Sequence, residues 1–162
     1  MRVFSFAQES TRYCNYAKDK FNNEITYIIP CWLHINEGNY DLIEGEDYWG
    51  NSTGFHLVFN NDVVYKEQIP DLYKELMPFI KSLKISEEQY FNLLNQGWTP
   101  QQARAVLPNA LKTELVMTGY ISDWKHFFSL RCDSAAHPQA RELAIPLREE
   151  FIKNNFISNE KF

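Results

Sequence analysis

Residues 113–131 read TELVMTGYISDWKHFFSLR. Their reading decides the C-terminal half of the chain. After Pro108, Asn109 is a plausible cap for a helix that runs into this stretch, and Gly119 interrupts it near the middle. Ser122 then recaps a segment reaching Arg131. In that segment Trp124, Phe127 and Phe128 fall at i, i+3 and i+4, one face of a helix, and Arg131 follows at i+7. An arginine on an apolar face must snorkel, pair with an anion, or use its place at the helix C-terminus, where the dipole and the last carbonyls welcome a cation. The spacing alone leaves these three open.

Helical periodicity extends outward on both sides. PDLYKELMPFIKSLKI places Leu72, Leu76, Phe79, Ile80 and Leu83 at helical spacing. SEEQYFNLLNQG opens with a capping box, Ser86 and Gln89, and stops at Gly97. In TPQQARAVLP, Thr99 is the cap, Pro100 the first helical residue and Gln102 the closing residue of another box; Pro108 ends or kinks this helix. The last helix, roughly Pro138 to Asn154, aligns Ala140, Leu143, Ala144, Leu147 and Phe151 and should bend at Pro146. Before Pro70 the texture changes. EITYIIPCWLHI and GFHLVFNNDVVY read as strands, and the acidic, glycine-punctuated stretch from Asn36 to Gly54 reads as a surface loop or a lid beside a site. The fold class is α+β: a helical C-terminal half packed on an incomplete mixed or antiparallel sheet.

The 162 residues predict a single domain, and 44% apolar content is enough for a core. A net charge of −5 argues against a broad basic surface for nucleic acid. No apolar run approaches the ~18 residues a membrane span needs. MRVFSFAQES lacks a signal-peptide core. Cys14, Cys31 and Cys132 have neither zinc nor redox-pair spacing, so no metal site is expected and a cytoplasmic setting fits. The arginines are more telling. All six lie in the first twelve residues or from Arg104 onward (Arg2, Arg12, Arg104, Arg131, Arg141 and Arg148), and every basic residue between is lysine. Arginine grips carboxylate and phosphate bidentately. If the opening stretch is extended, Gln8, Ser10 and Arg12 share a side and offer an amide, a hydroxyl and a guanidinium to an oxyanion or a pyrimidine edge. The plainer reading is the polar face of an edge strand. Arg104 borders the Ala103, Val106, Leu107 stripe, where its stem could equally serve only to cover the core.

Arg2, Ser10, Arg12 and Tyr13, with seven residues between the first two, resemble the tail of the Arg-His-Arg-x7-Ser signature of flavin-dependent thymidylate synthases. ARAVLP, TELVMTGYISDWKHFFSLR and AAHPQARELAIPL resemble that family's C-terminal helical region. The resemblance implies a thymidylate synthase-complementing-protein-like fold, with residues 1–162 corresponding to its C-terminal two-thirds. It implies a flavoprotein methyltransferase: reductive methylation of dUMP to dTMP, with FAD as cofactor and methylenetetrahydrofolate and NADPH as co-substrates. Carried over by position, Gln8, Glu9, Ser10, Arg12, Arg104 and Arg131 bind dUMP, with backbone amides near Glu9 helping, and Arg131 is the catalytic residue that polarises the uracil. Arg2 and His126 contact FAD. Tyr120 and Ser122 stand where some members have an Asn-x-Arg pair on FAD. Met1 stands where the signature histidine should be, so the resemblance also implies an N-terminally truncated member. Its partners would then be a homotetramer with shared sites or a complementing N-terminal chain. The other readings are an inactive nucleotide- or flavin-binding remnant and an assembly module.

Overall fold

The computed structural model describes residues 4–18, 24–46, 52–64 and 70–159. The expected contact at Arg2 lies outside these residues. In chain order the elements are β1 (Ser5–Gln8), β2 (Tyr40–Glu46), β3 (Ser52–Phe59), β4 (Asp62–Val64), α1 (Pro70–Asn95), α2 (Pro100–Ala103), a 3₁₀ turn (Arg104–Val106), β5 (Leu115–Thr118), α3 (Ile121–Arg131) and α4 (Pro138–Lys153). The class is α+β as expected, and the strand pairs among the described residues are antiparallel. They fall into two compact units.

The first unit comprises residues 10–29 and 33–112. The stretch expected to be a loop or lid is instead mostly a hairpin, β2 pairing with β3 from Tyr40↔Phe59 onward and β4 extending it. The alternation was present in the sequence: Tyr40 and Leu42 pack inward with Leu57 against Leu76 and Ile80 of α1, while Ile43 is exposed. α1 is one continuous helix, not two. Its buried positions Leu76, Ile80, Leu83 and Tyr90 stay in phase, so Ser86 falls mid-helix and its hydroxyl donates back to the Ser82 carbonyl at 2.8 Å. The helix stops where expected. Gly97 takes φ +90°, and the Gly97 and Trp98 N–H groups donate to Leu94 and Leu93 carbonyls at 2.9 and 3.0 Å. EITYIIPCWLHI forms a single bridge, Tyr27↔Leu111, because Pro30 has no N–H to continue a ladder and the chain turns at 31–33. Tyr27 and Leu111 instead pack on a second core of Cys14, Tyr16, Ile25, Tyr90 and Ala103.

The second unit comprises residues 4–9, 30–32 and 113–159 among those described. Residues 109–118 are not helical. Leu115–Thr118 pairs with β1, Ser5↔Thr118 through Gln8↔Leu115, as its branched residues allow once a partner strand is available. α3 starts at Ile121 with Tyr120 as its cap, not Ser122. Tyr120 is extended, and its N–H donates to the Asp123 carboxylate at 3.0 Å. The aromatic face read from the sequence is real. Trp124, Phe127 and Phe128 gather with Phe4 and Phe151, the Phe4–Trp124 ring centroids being 5.0 Å apart. From α4, Phe151 joins the cluster and Ala144 is buried. The expected partners Leu143 and Leu147 turn outward, 76% and 37% exposed.

Candidate functional site

Ser10, Arg12 and Arg104 belong to the first unit, and the structure brings them together. The opening stretch is extended only to Gln8, so the shared side expected for Gln8, Ser10 and Arg12 is not how they meet. Residues 11–13 form a turn, in which the Tyr13 and Cys14 N–H groups donate to the Ser10 carbonyl at 2.9 and 3.2 Å. The turn folds the Arg12 N–H toward Ser10 Oγ, 3.3 Å away. Cys14, buried in the core, anchors its far end, and the Tyr90 hydroxyl donates to the Cys14 carbonyl at 3.3 Å.

Opposite the turn stands α2 with its 3₁₀ continuation. The capping box forms as read: the Thr99 N–H and Oγ1–H both donate to Gln102 Oε1, at 2.9 and 2.8 Å. Pro100 and Gln102 therefore fix the start of the helix, and Ala103 packs into the core behind it. The neighbouring Gln101 and Arg104 are left facing the turn. Arg12 Nε donates to Gln101 Oε1 at 2.7 Å, and Arg104 Nη1 donates to Thr11 Oγ1 at 3.1 Å. Sequence reasoning missed Gln101 and Thr11. The signal available was the capping box, which commits the second glutamine of QQ to the backbone and frees the first. Both guanidiniums are exposed, and among the described residues neither has a carboxylate within 4.0 Å. Arg12 also lies over the Tyr13 ring, 5.3 Å from its centroid. Two guanidiniums without a carboxylate partner among the described residues, with hydroxyls beside them, carry the donors that an oxyanion requires.

The remaining site residues belong to the second unit. Gln8 is exposed on β1 opposite Leu115. The Glu9 N–H expected to help a ligand already donates to the Glu114 carbonyl at 2.9 Å, and the Glu9 carbonyl accepts from Thr113 Oγ1 at 2.8 Å, so this segment is tied into the strand pair. Arg131 is the last residue of α3 and is exposed, so it leaves the aromatic face at the helix end. Tyr120, 81% exposed, and the exposed Ser122 and His126 line the outward side of the same helix. Arg141 and Arg148 lie on α4. Burial pushes the Cys132 thiol pKa up, and these two arginines pull it back. The Arg141 Nε is itself buried without a hydrogen-bond partner among the described residues.

The sequence pattern of the family described as thymidylate synthase complementing protein matches residues 1–154. The flavin-dependent thymidylate synthase of Pyrococcus furiosus is 26% identical over 156 residues, covering 96% of this chain and 48% of that protein. That of Sulfurisphaera tokodaii is 32% identical, covering 82% of this chain and 67% of that protein. Among solved structures, the UMP/dUMP methylase PolB from Streptomyces cacaoi bound with 5-Br dUMP matches the fold with a TM-score of 0.58. It is 24% identical, over 94% of this chain and 58% of that one. The chain spans about half the length of the Pyrococcus furiosus and Corynebacterium efficiens enzymes, 48% and 49%. A match running through residues 1–154 shows that the chain belongs to the thymidylate synthase complementing protein family.

Proposed function

We propose that the chain acts in reductive methylation of dUMP to dTMP, as a flavin-dependent thymidylate synthase whose fold it represents in its C-terminal part. Methylenetetrahydrofolate would be the carbon donor and NADPH the reductant. Family membership supports the reaction class. The observation that carries the substrate is the pair Arg12 and Arg104, exposed, joined across two segments and without carboxylate partners among the described residues. Such a pair suits a phosphate monoester. Ser10 adds a hydroxyl, and Gln8 an amide suited to a pyrimidine edge. Arg131 is the candidate catalytic residue: its guanidinium would draw electron density from the uracil ring as negative charge develops there. In this reading the sites are shared between subunits of a homotetramer, or completed by a complementing N-terminal chain.

The residues assigned to FAD fit its ring better than its diphosphate. Tyr120 and His126 present exposed rings on the outward side of α3 and Ser122 a hydroxyl, whereas the Asp123 carboxylate closes the start of that helix to an anion. His126 would therefore pack on the flavin ring, with Arg2, Tyr120 and Ser122 as the further FAD contacts. Bound FAD, once reduced by NADPH, would supply the hydride that the reductive methylation consumes. The protein's task is to hold the uracil and its phosphate in place and to favour charge on the ring.

Calorimetric titration with dUMP and with deoxyuridine tests the assignment. dUMP should bind, and deoxyuridine, lacking the phosphate, should bind at least tenfold more weakly. Equal affinities would remove the arginine pair from the site. Formation of dTMP with FAD, NADPH and methylenetetrahydrofolate tests the reaction itself.

A further inference from the structure

We propose that Gln101 and Thr11 are positioning residues: neutral acceptors that aim Arg12 and Arg104 at a phosphate dianion while leaving both positive charges intact. The inference rests on the nucleotide reading above and names residues to which that reading gives no part. The two bonds cross. An arginine of the turn reaches an amide of α2 at 2.7 Å, and an arginine of the 3₁₀ turn reaches a hydroxyl of the first turn at 3.1 Å, over sequence separations of 89 and 93 residues. Neither segment can slide along the other without breaking one of them.

The chemistry of the acceptors decides the matter. A carboxylate at either position would hold its arginine more strongly, because charge-assisted bonds are the stronger kind. It would also cancel the charge that an incoming phosphate needs. The chain as a whole carries −5, so attraction for an anion must come from local, unneutralised guanidiniums. Among the described residues, Arg12 spends its Nε donor on Gln101 and keeps both terminal nitrogens. Arg104 spends one Nη1 donor on Thr11 and keeps its Nη2 nitrogen and its Nε. Gln101 is available for this because Gln102 is committed to the cap.

The test is titration of the full chain with inorganic phosphate and with dUMP at several salt concentrations. It compares the natural chain with Gln101→Ala, Gln101→Glu and Thr11→Val. Gln101 is exposed, so Gln101→Ala should keep the natural melting temperature and Gln101→Glu should match or slightly exceed it. Gln101→Glu should weaken phosphate binding by about tenfold and flatten its salt dependence, since one guanidinium is neutralised. Gln101→Ala and Thr11→Val should weaken it a few-fold at an unchanged salt slope, because aim is lost but charge is not. Phosphate affinity in Gln101→Glu equal to the natural chain overturns the proposal. So do equal losses in Gln101→Glu and Gln101→Ala accompanied by a lowered melting temperature, the mark of a merely structural residue. A natural chain that binds phosphate but not dUMP overturns the nucleotide reading and leaves the positioning roles to be judged on phosphate. One that binds neither overturns both.

Discussion

Removing Arg12 and Arg104 singly and together measures whether they grip one phosphate. A hydrogen bond from a charged group to its partner contributes about 1.5–3 kcal/mol. Both guanidiniums are exposed, so the lower end applies, and each substitution by alanine should raise the Kd for dUMP roughly tenfold. The geometry makes the two losses unequal to their sum. Each arginine bonds to the segment that carries the other: Arg12 to Gln101 beside Arg104, and Arg104 to Thr11 beside Arg12. Taking away Arg104 therefore also loosens the turn that aims Arg12, and part of the second loss is already counted in the first. The double variant should fall short of additivity by at least about 0.5 kcal/mol, the lower bound for residues in one network. Isothermal calorimetry with dUMP at low salt reads the affinities, and thermal melting checks that the fold persists. Additivity within about 0.3 kcal/mol refutes a shared phosphate, and an unchanged Kd in either single variant refutes that arginine's part in it.

For Arg131→Ala, dTMP formation should fall at least about a hundredfold while circular dichroism stays that of the natural chain; undiminished turnover removes Arg131 from the chemistry. Gly119→Ala would place a Cβ 2.6 Å from Phe4 Cδ1, inside the aromatic cluster, so the ring must move at a cost of about 1–3 kcal/mol. A melting temperature lowered by several degrees is expected, and an unchanged one would mean that the ring yields freely. Burial pushes the Glu87 carboxyl pKa above its ordinary range, against the Ile25 N–H bond at 3.1 Å and the Lys84 charge, which lower it. The folded state then holds the proton more tightly than the unfolded one, so stability present at acid pH is lost as pH rises through the raised value. Gln keeps an acceptor for Ile25 without the charge: Glu87→Gln should melt at or above the natural chain at neutral pH, with its advantage shrinking on acidification, and a pH-independent difference would contradict the burial argument.

Periodicity was legible wherever a helix could satisfy its own backbone, and illegible wherever a distant partner decided. α4 could be drawn to within a residue, and so could the stop at Gly97, because caps and glycine conformations are local. Leu115–Thr118 was read as helix because its partner, Ser5–Gln8, lies over a hundred residues away and strand pairing leaves no mark on one strand alone. The hairpin of Tyr40–Glu46 and Ser52–Phe59 carried its alternating pattern, but acidic residues and glycines masked it. At the site, Arg12 and Arg104 were legible by residue type. Gln101 and Thr11 were not, since a glutamine and a threonine become informative only once a fold sets an arginine against each.

Among the described residues, Arg12 and Arg104 keep different company from two of the lysines. Lys84 meets Asp41 at 3.0 Å and Lys153 meets Glu150 at 3.2 Å, so these lysines are neutralised by carboxylates. Arg12 and Arg104 meet an amide and a hydroxyl instead. A fold indifferent to ligands gains by giving exposed arginines acidic neighbours, and 21 acidic residues in this chain were available for the purpose. Neutral partners forgo that gain where these two guanidiniums are held against adjoining segments. Like charges so held repel, and a dianion between them would relieve the repulsion as well as accept their hydrogen bonds. The stability withheld at this site is thus recovered on binding, which predicts that phosphate raises the melting temperature of the natural chain more than that of Gln101→Glu.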